Sequence, residues 1–132
     1  MSPVNVIKIL LVDDQPSVRQ GLRMCMELEA DLVVVGEAGD GAEAIERIPT
    51  LKPDVVVMDV EMPKMDGIAA TKRLHEIAPH IAVVILTIHG NTDTRTKAQK
   101  AGAKAFVEKQ ASATDLLTAI RRIAQVDKNK HR

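Results

Sequence analysis

Five short runs rich in β-branched and other apolar residues, at 6–12, 32–37, 54–58, 81–86 and 104–107, alternate with stretches that carry helical spacing or helix-start signals. That alternation constrains the fold more than any other feature, because parallel strands need long crossover connections and βαβ units supply them. Five strands and five helices are expected. The first, third and fourth runs are almost unbroken apolar sequence, so they should be the central strands, buried on both faces. At 132 residues the chain suits a single domain with one core.

Helix starts are legible between the runs. Pro16 suits a first helical position, and Val18, Leu22, Cys25 and Leu28 recur at helical spacing after it. That stripe makes Cys25 a small core residue, and a lone cysteine has no internal disulfide partner. Asp40 with Glu43 and Ser112 with Asp115 stand three apart, as in a capping box or its Asp variant. In the last helix Leu116, Leu117, Ile120, Ile123 and Ala124 form an apolar stripe, with Arg121, Arg122 and Gln125 on the opposite face. The segment 91–101, NTDTRTKAQKA, offers only Ala98 and Ala101 as apolar residues, so its helix should be the least firmly packed. After Val126 the sequence is polar and is expected to fray.

Composition removes several functional classes. Apolar residues make up 45% and charged residues 27%, too apolar for a disordered chain, and the formal net charge is zero, which gives no pull toward a polyanion. Phe106 is the only aromatic residue, so there is no stacking platform for single-stranded nucleic acid. Residues 6–12 are short and interrupted by Lys8, unlike a signal peptide or a membrane span. A cytoplasmic protein is expected. No period of repeats appears.

The stretch VVVMDVEMPKMDG, residues 55–67, holds the first chemical clue. Four apolar residues run into Asp59, and a carboxylate at the end of a core segment needs a partner. In an open parallel α/β sheet, ligands bind beyond the carboxyl ends of the strands. Asp13 and Asp14 follow the first strand, Asp59 the third, Thr87 the fourth, and the fifth leads to Lys109. Each has an ordinary reading alone: Asp13 or Asp14 as a helix cap, Thr87 as a strand end, Lys109 as a solvated charge. Together, three acids converging on one rim repel at a scale of up to ~4 kcal/mol per pair at ~4 Å and an effective dielectric of ~20, so protons or a cation must intervene. An all-oxygen set suits Mg²⁺ rather than zinc. His75, His80, His89 and His131 show no ligand spacing.

The segments LLVDDQP, VVVMDVEMPKMDG, VVILTIHG and AGAKAFVEK together resemble the receiver domain of two-component response regulators. GEAGDGAEAI is similar to the NarL/FixJ (LuxR-type) branch, whose members often carry a helix-turn-helix output domain. The resemblance covers roughly residues 6–125. It implies a doubly wound (βα)5 fold of flavodoxin-like strand order 2-1-3-4-5, a receiver domain over residues 1–127, and a polar tail at 128–132 that begins a linker to an output domain. It also implies a phosphoacceptor at Asp59, Mg²⁺ held by Asp14 and Asp59, by Asp13 through water and by the backbone carbonyl of Glu61, a catalytic Lys109, and a switch pair in Thr87 and Phe106. Glu61 and His89 are the positions at which phosphoryl lifetime would be tuned, or else solvated loop residues.

The partners implied are a histidine kinase, docking on the first helix around Ser17–Glu27, and a second copy through the helix 4/strand 5/helix 5 or helix 1/helix 5 face. DNA would be reached only through an output domain outside these residues, and no membrane is implied. The chain would catalyse nothing beyond its own phosphorylation and dephosphorylation. Gln110 stands where a proline often follows the lysine in this family, so the cis bond common at that position cannot be carried over, because cis is costly without proline. Thr94, Arg95, Thr96 and Gln99 replace residues that are often apolar in relatives, which weakens a dimer built on that helix. Two alternatives use the same residues: a stand-alone receiver acting through protein contacts, and a haloacid-dehalogenase-like phosphatase, disfavoured because Asp-x-Asp is missing after the first strand. A dinucleotide fold is disfavoured because Gly36, Gly39 and Gly41 lack the G-x-G-x-x-G spacing.

Overall fold

A computed structural model describes residues 6–88 and 90–130, with side chains described as far as residue 124. Strands and helices alternate throughout: β1 Ile7–Val12, α1 Pro16–Glu27, β2 Leu32–Ala38, α2 Gly41–Leu51, β3 Val55–Asp59, α3 Gly67–Ile77, β4 Ala82–Thr87, α4 Thr92–Ala101, β5 Ala105–Glu108 and α5 Ala113–Lys130. All four strand pairings are parallel, and the sheet order is β2-β1-β3-β4-β5. The doubly wound architecture is the expected one.

Side-chain alternation along each strand divides the core between the two faces of the sheet. On one face Ile9, Leu11, Val55, Val57, Val84 and Leu86 pack with Met26 of α1 and Leu116, Ile120, Ile123 and Ala124 of α5. On the other, Leu10, Val12, Val56, Met58, Val83 and Ile85 meet Ala44 and Ile48 of α2, Ala70 and Leu74 of α3, and Ala98 of α4. The apolar runs of β1, β3 and β4 are therefore buried on both sides. Each large aliphatic side chain so placed contributes about 1.5–3 kcal/mol.

Start signals act locally as the spacing implies. Asp40 accepts from the Glu43 amide at 2.8 Å, while the Glu43 carboxylate reaches back to the Gly39 amide at 2.6 Å, one residue earlier than in the usual box. Asp66 caps α3 by accepting from Ala69 at 2.8 Å. Pro16 opens α1, and Ser112 accepts from the Asp115 amide at 3.3 Å.

Two expectations need correction. The residues that α1 turns into the core are Leu22 and Met26, at i and i+4, with Val18 half-buried one turn earlier, not Val18, Leu22, Cys25 and Leu28. Cys25 is exposed, and Leu28, the C-cap, is 84% exposed. One position of rotation, ~100° on a helix, separates Cys25 from the buried Met26. Secondly, β3, β4 and β5 each run one residue beyond the expected end, to Asp59, Thr87 and Glu108, because ladder hydrogen bonding continues after the apolar run stops. α5 extends to Lys130.

Candidate functional site

The C-terminal rim of the sheet is set by those strand ends. Asp59 pairs in register with Leu86, and Thr87 with Glu108, so Thr87 sits one step beyond Asp59 on the neighbouring strand. The Lys109 amide donates to the Thr87 carbonyl at 2.7 Å, which brings the lysine onto the same edge. Behind Asp59 the chain turns sharply: the Gly67 amide donates to Val60 O at 2.8 Å, and a Cβ on Gly67 would lie 1.9 Å from the Asp59 carbonyl oxygen. Only glycine permits that approach.

The side chains then meet. Asp13 and Asp59 are buried, with 2% and 7% exposure, and Asp14 is exposed at the mouth of the site. One carboxylate oxygen from each of the three lies within 4.8 Å of the others. Lys109 Nζ donates to Asp13 Oδ2 at 3.0 Å and lies 3.4 Å from Asp59 Oδ1. The other Asp13 oxygen accepts from the Gln15 amide at 2.9 Å. A cleft of about 410 Å³ opens onto this group, lined by Asp14, Asp59, Glu61, Thr87 and Lys109, together with Gln15, Met62 and Ile88.

Electrostatics follow from that packing. Burial raises the Asp59 carboxyl to a pKa of about 6, and the neighbouring Asp13 charge pushes the same way, outweighing the opposing pull of Lys109. Burial alone would lower the Lys109 ammonium, but hydrogen bonds and charge from Asp13 and Asp59 raise it instead. One cation among two buried acids and a third at the mouth leaves net negative charge. A donor set of carboxylate oxygens without thiol or imidazole fits a hard divalent ion such as Mg²⁺, and Asp13, Asp14 and Asp59 are the residues that could hold it.

The five rim residues named from the sequence are thus all brought to one edge. The capping alternative for the first acids does not hold: Gln15 is the N-cap of α1, and no side chain caps it. Thr87 is buried and Glu61 exposed at the cleft. Phe106 is half-buried on β5, with the Arg95 guanidinium 5.2 Å from its ring centre. His89 lies outside the described residues, as does His131. No peptide bond among the described residues is cis, Lys109–Gln110 included. Sequence reasoning missed Gln15 and Arg19. Arg19 donates to the Asp13 carbonyl while paired with Glu37 at 2.9 Å, and only its position six residues past the acid hints at this.

This arrangement has counterparts among known proteins. Residues 9–121 match the family model described as "Response regulator receiver domain". The chain belongs to the response regulator receiver family. DegU of Brevibacillus brevis, a transcriptional regulatory protein, is 34% identical over 92% of this receiver and 51% of its own length. The response regulator protein VraR of Staphylococcus aureus strain Mu3 is 37% identical over 90% of the receiver and 57% of its own length. The receiver therefore spans about half the length of these curated relatives. Among solved structures, the receiver domain of a NarL-type regulator from Mycobacterium tuberculosis superposes with a TM-score of 0.87 at 30% identity, covering 92% of this receiver and 98% of that chain. A LuxR-family regulator from Aurantimonas gives 0.87 at 36% identity, over 91% and 86%. Among the described residues no helix is long and apolar enough to cross a membrane.

Proposed function

We propose that this receiver is a phosphoacceptor switch in which Asp59 takes a phosphoryl group from a histidine kinase. The observation that carries the reading is the single lysine, Lys109, held between Asp13 and Asp59 at the mouth of a cleft the size of a small polar ligand. Asp59 is buried enough to be more basic than an ordinary carboxylate, yet with a pKa of about 6 it is mostly ionised at neutral pH. That combination suits a nucleophile. An Asp59 oxygen forms the new bond to phosphorus, the P–N bond of the kinase phosphohistidine breaks, and the imidazole leaves and is protonated.

Lys109 offers positive charge to the phosphoryl oxygens, and Thr87 offers its hydroxyl to the acyl phosphate. Asp13, Asp14, Asp59 and the Glu61 carbonyl would hold Mg²⁺, which when bound neutralises charge and orients the phosphoryl oxygens. The acyl phosphate adds roughly −1.5 to −2 charge at the end of β3. Its pull on Thr87 and the rotation of Phe106 would then reset the α4/β5/α5 face, with Glu61 and His89 tuning how long the group persists. The relatives' descriptions support a transcriptional output, through a DNA-binding segment outside these 132 residues. Kinase docking is assigned to α1, and pairing of two receivers to the α4/β5/α5 or α1/α5 face.

Transfer from a panel of autophosphorylated histidine kinases tests the reading. Label should pass to the wild-type chain from at least one kinase and not to Asp59→Asn. Equal labelling of the variant contradicts it.

A further inference from the structure

Arg19 makes contacts that the phosphoacceptor reading does not use. Its Nη1 donates to the backbone carbonyl of Asp13, and its Nε donates to Glu37 Oε1 at 2.9 Å. Glu37 is in turn held by Arg23 Nε at 2.9 Å. The Arg19 side chain is 18% exposed. Asp13 lies just past the end of β1, where its amide still donates to Ala38 O at 3.1 Å. Its carbonyl belongs to a residue only 2% exposed, and a buried carbonyl must find a donor. Arg19 is that donor. The Val12–Asp13 peptide is thereby held from β2 through its N–H, and the Asp13–Asp14 peptide from α1 through its C=O.

That peptide sets where two of the three acids point. Asp13 Cα and Asp14 Cα flank it, so a rotation of its plane would swing the Asp14 carboxylate relative to Asp59. We propose that Arg19 is a positioning residue: anchored on Glu37, it locks the Asp13–Asp14 peptide so that both carboxylates present oxygens to the same point in the cleft. Burial would raise the Glu37 carboxyl, but the hydrogen bonds from Arg19 and Arg23 lower it, so the anchor stays ionised at neutral pH. The inference rests on the reading of the acids as a divalent-cation site.

Arg23 supplies a matched control, because it pairs with the same Glu37 carboxylate yet has no hydrogen bond to Asp13 among those of the described residues. Charge alone predicts the opposite sign. Removing a cation near an acidic cluster should tighten a divalent ion, so looser binding in an Arg19 variant reports on geometry. The experiment is calorimetric titration of the intact chain with Mg²⁺ alone, without phosphodonor, for wild type, R19Q, R19K and R23Q, alongside urea midpoints. R19Q is expected to bind Mg²⁺ about tenfold more weakly, in the range typical for residues that orient ligands, while R23Q stays close to wild type. R19K keeps the charge but loses the fork that serves two acceptors, so it falls between, and it carries the test if R19Q does not fold. R19Q matching R23Q, or R19K matching wild type, overturns the positioning role while leaving the cation site intact. A wild type that binds no Mg²⁺ overturns both.

Discussion

At the scale of single residues, the site depends on a carboxylate kept where it is uncomfortable. Asp59 titrates near 6 in the metal-free fold, against 3.8 ordinarily, so between those values the native state keeps a proton that the unfolded chain has lost. Stability therefore falls as pH rises from about 4 to about 6, and the ionised group costs at most about 3 kcal/mol above that window. Asp59→Asn should stabilise the metal-free chain at pH 7.5 by about 1–3 kcal/mol, and the gain should vanish near pH 4. Urea unfolding of both forms in chelator at the two pH values measures this. Asp13, Asp14, Asp59, Thr87 and Lys109 were legible in the sequence because each lies at or just past the end of an apolar run, and the sheet's geometry then does the convergence. Cys25 was misplaced, because a short helix with apolar residues at Met24, Cys25, Met26 and Leu28 admits more than one inward phase. Met26→Ala should cost about 2–4 kcal/mol and Cys25→Ser less than about 0.5, readable as shifts in urea midpoint.

At the scale of elements, the helices differ in how firmly the sheet holds them. α5 buries Leu116, Ile120, Ile123 and Ala124, whereas α4 buries only Ala98 and Ala101. Polar Thr94, Arg95 and Gln99 leave α4 little apolar anchorage beyond those alanines, and its ends are closed by Asn91, which accepts from the Thr94 amide at 2.8 Å, and by Gly102 with φ +109°. Amides of α4 should exchange faster than those of α5 in the metal-free chain, and equal protection would contradict the view of α4 as the movable element. The weak helix was visible from the scarcity of apolar residues. What pattern could not reveal were pairings across ~90 positions of sequence, such as Arg121 with Glu29 and Asp31 at 2.7 and 2.8 Å, because a surface stripe of arginines does not name its partners. α2 ends on Lys52 with φ 47°, a left-handed conformation unfavourable to a side chain. Lys52→Gly should therefore stabilise by about 0.5–1 kcal/mol in thermal unfolding.

For the whole molecule, the fold is a device for bringing distant acids together. Residues 13 and 59 are far apart in sequence, yet the β1–β3 pairing puts their strand ends side by side, and β4 and β5 add the hydroxyl and the ammonium. Strand order was open to sequence pattern only through resemblance, since periodicity shows which strands are buried and not how they are ordered. With the acid cluster as the proposed cation site, formed only in the native state, Mg²⁺ at about a hundred times its dissociation constant should add ~2.7 kcal/mol of stability, and Asp14→Asn should abolish most of that gain. The most direct measurement is the intact mass of the chain after incubation with Mg²⁺ and a small phosphodonor such as acetyl phosphate. One phosphoryl group should add to the wild type, none in excess chelator and none to Asp59→Asn; addition that persists in the variant or without the ion would contradict an aspartyl switch built on this rim.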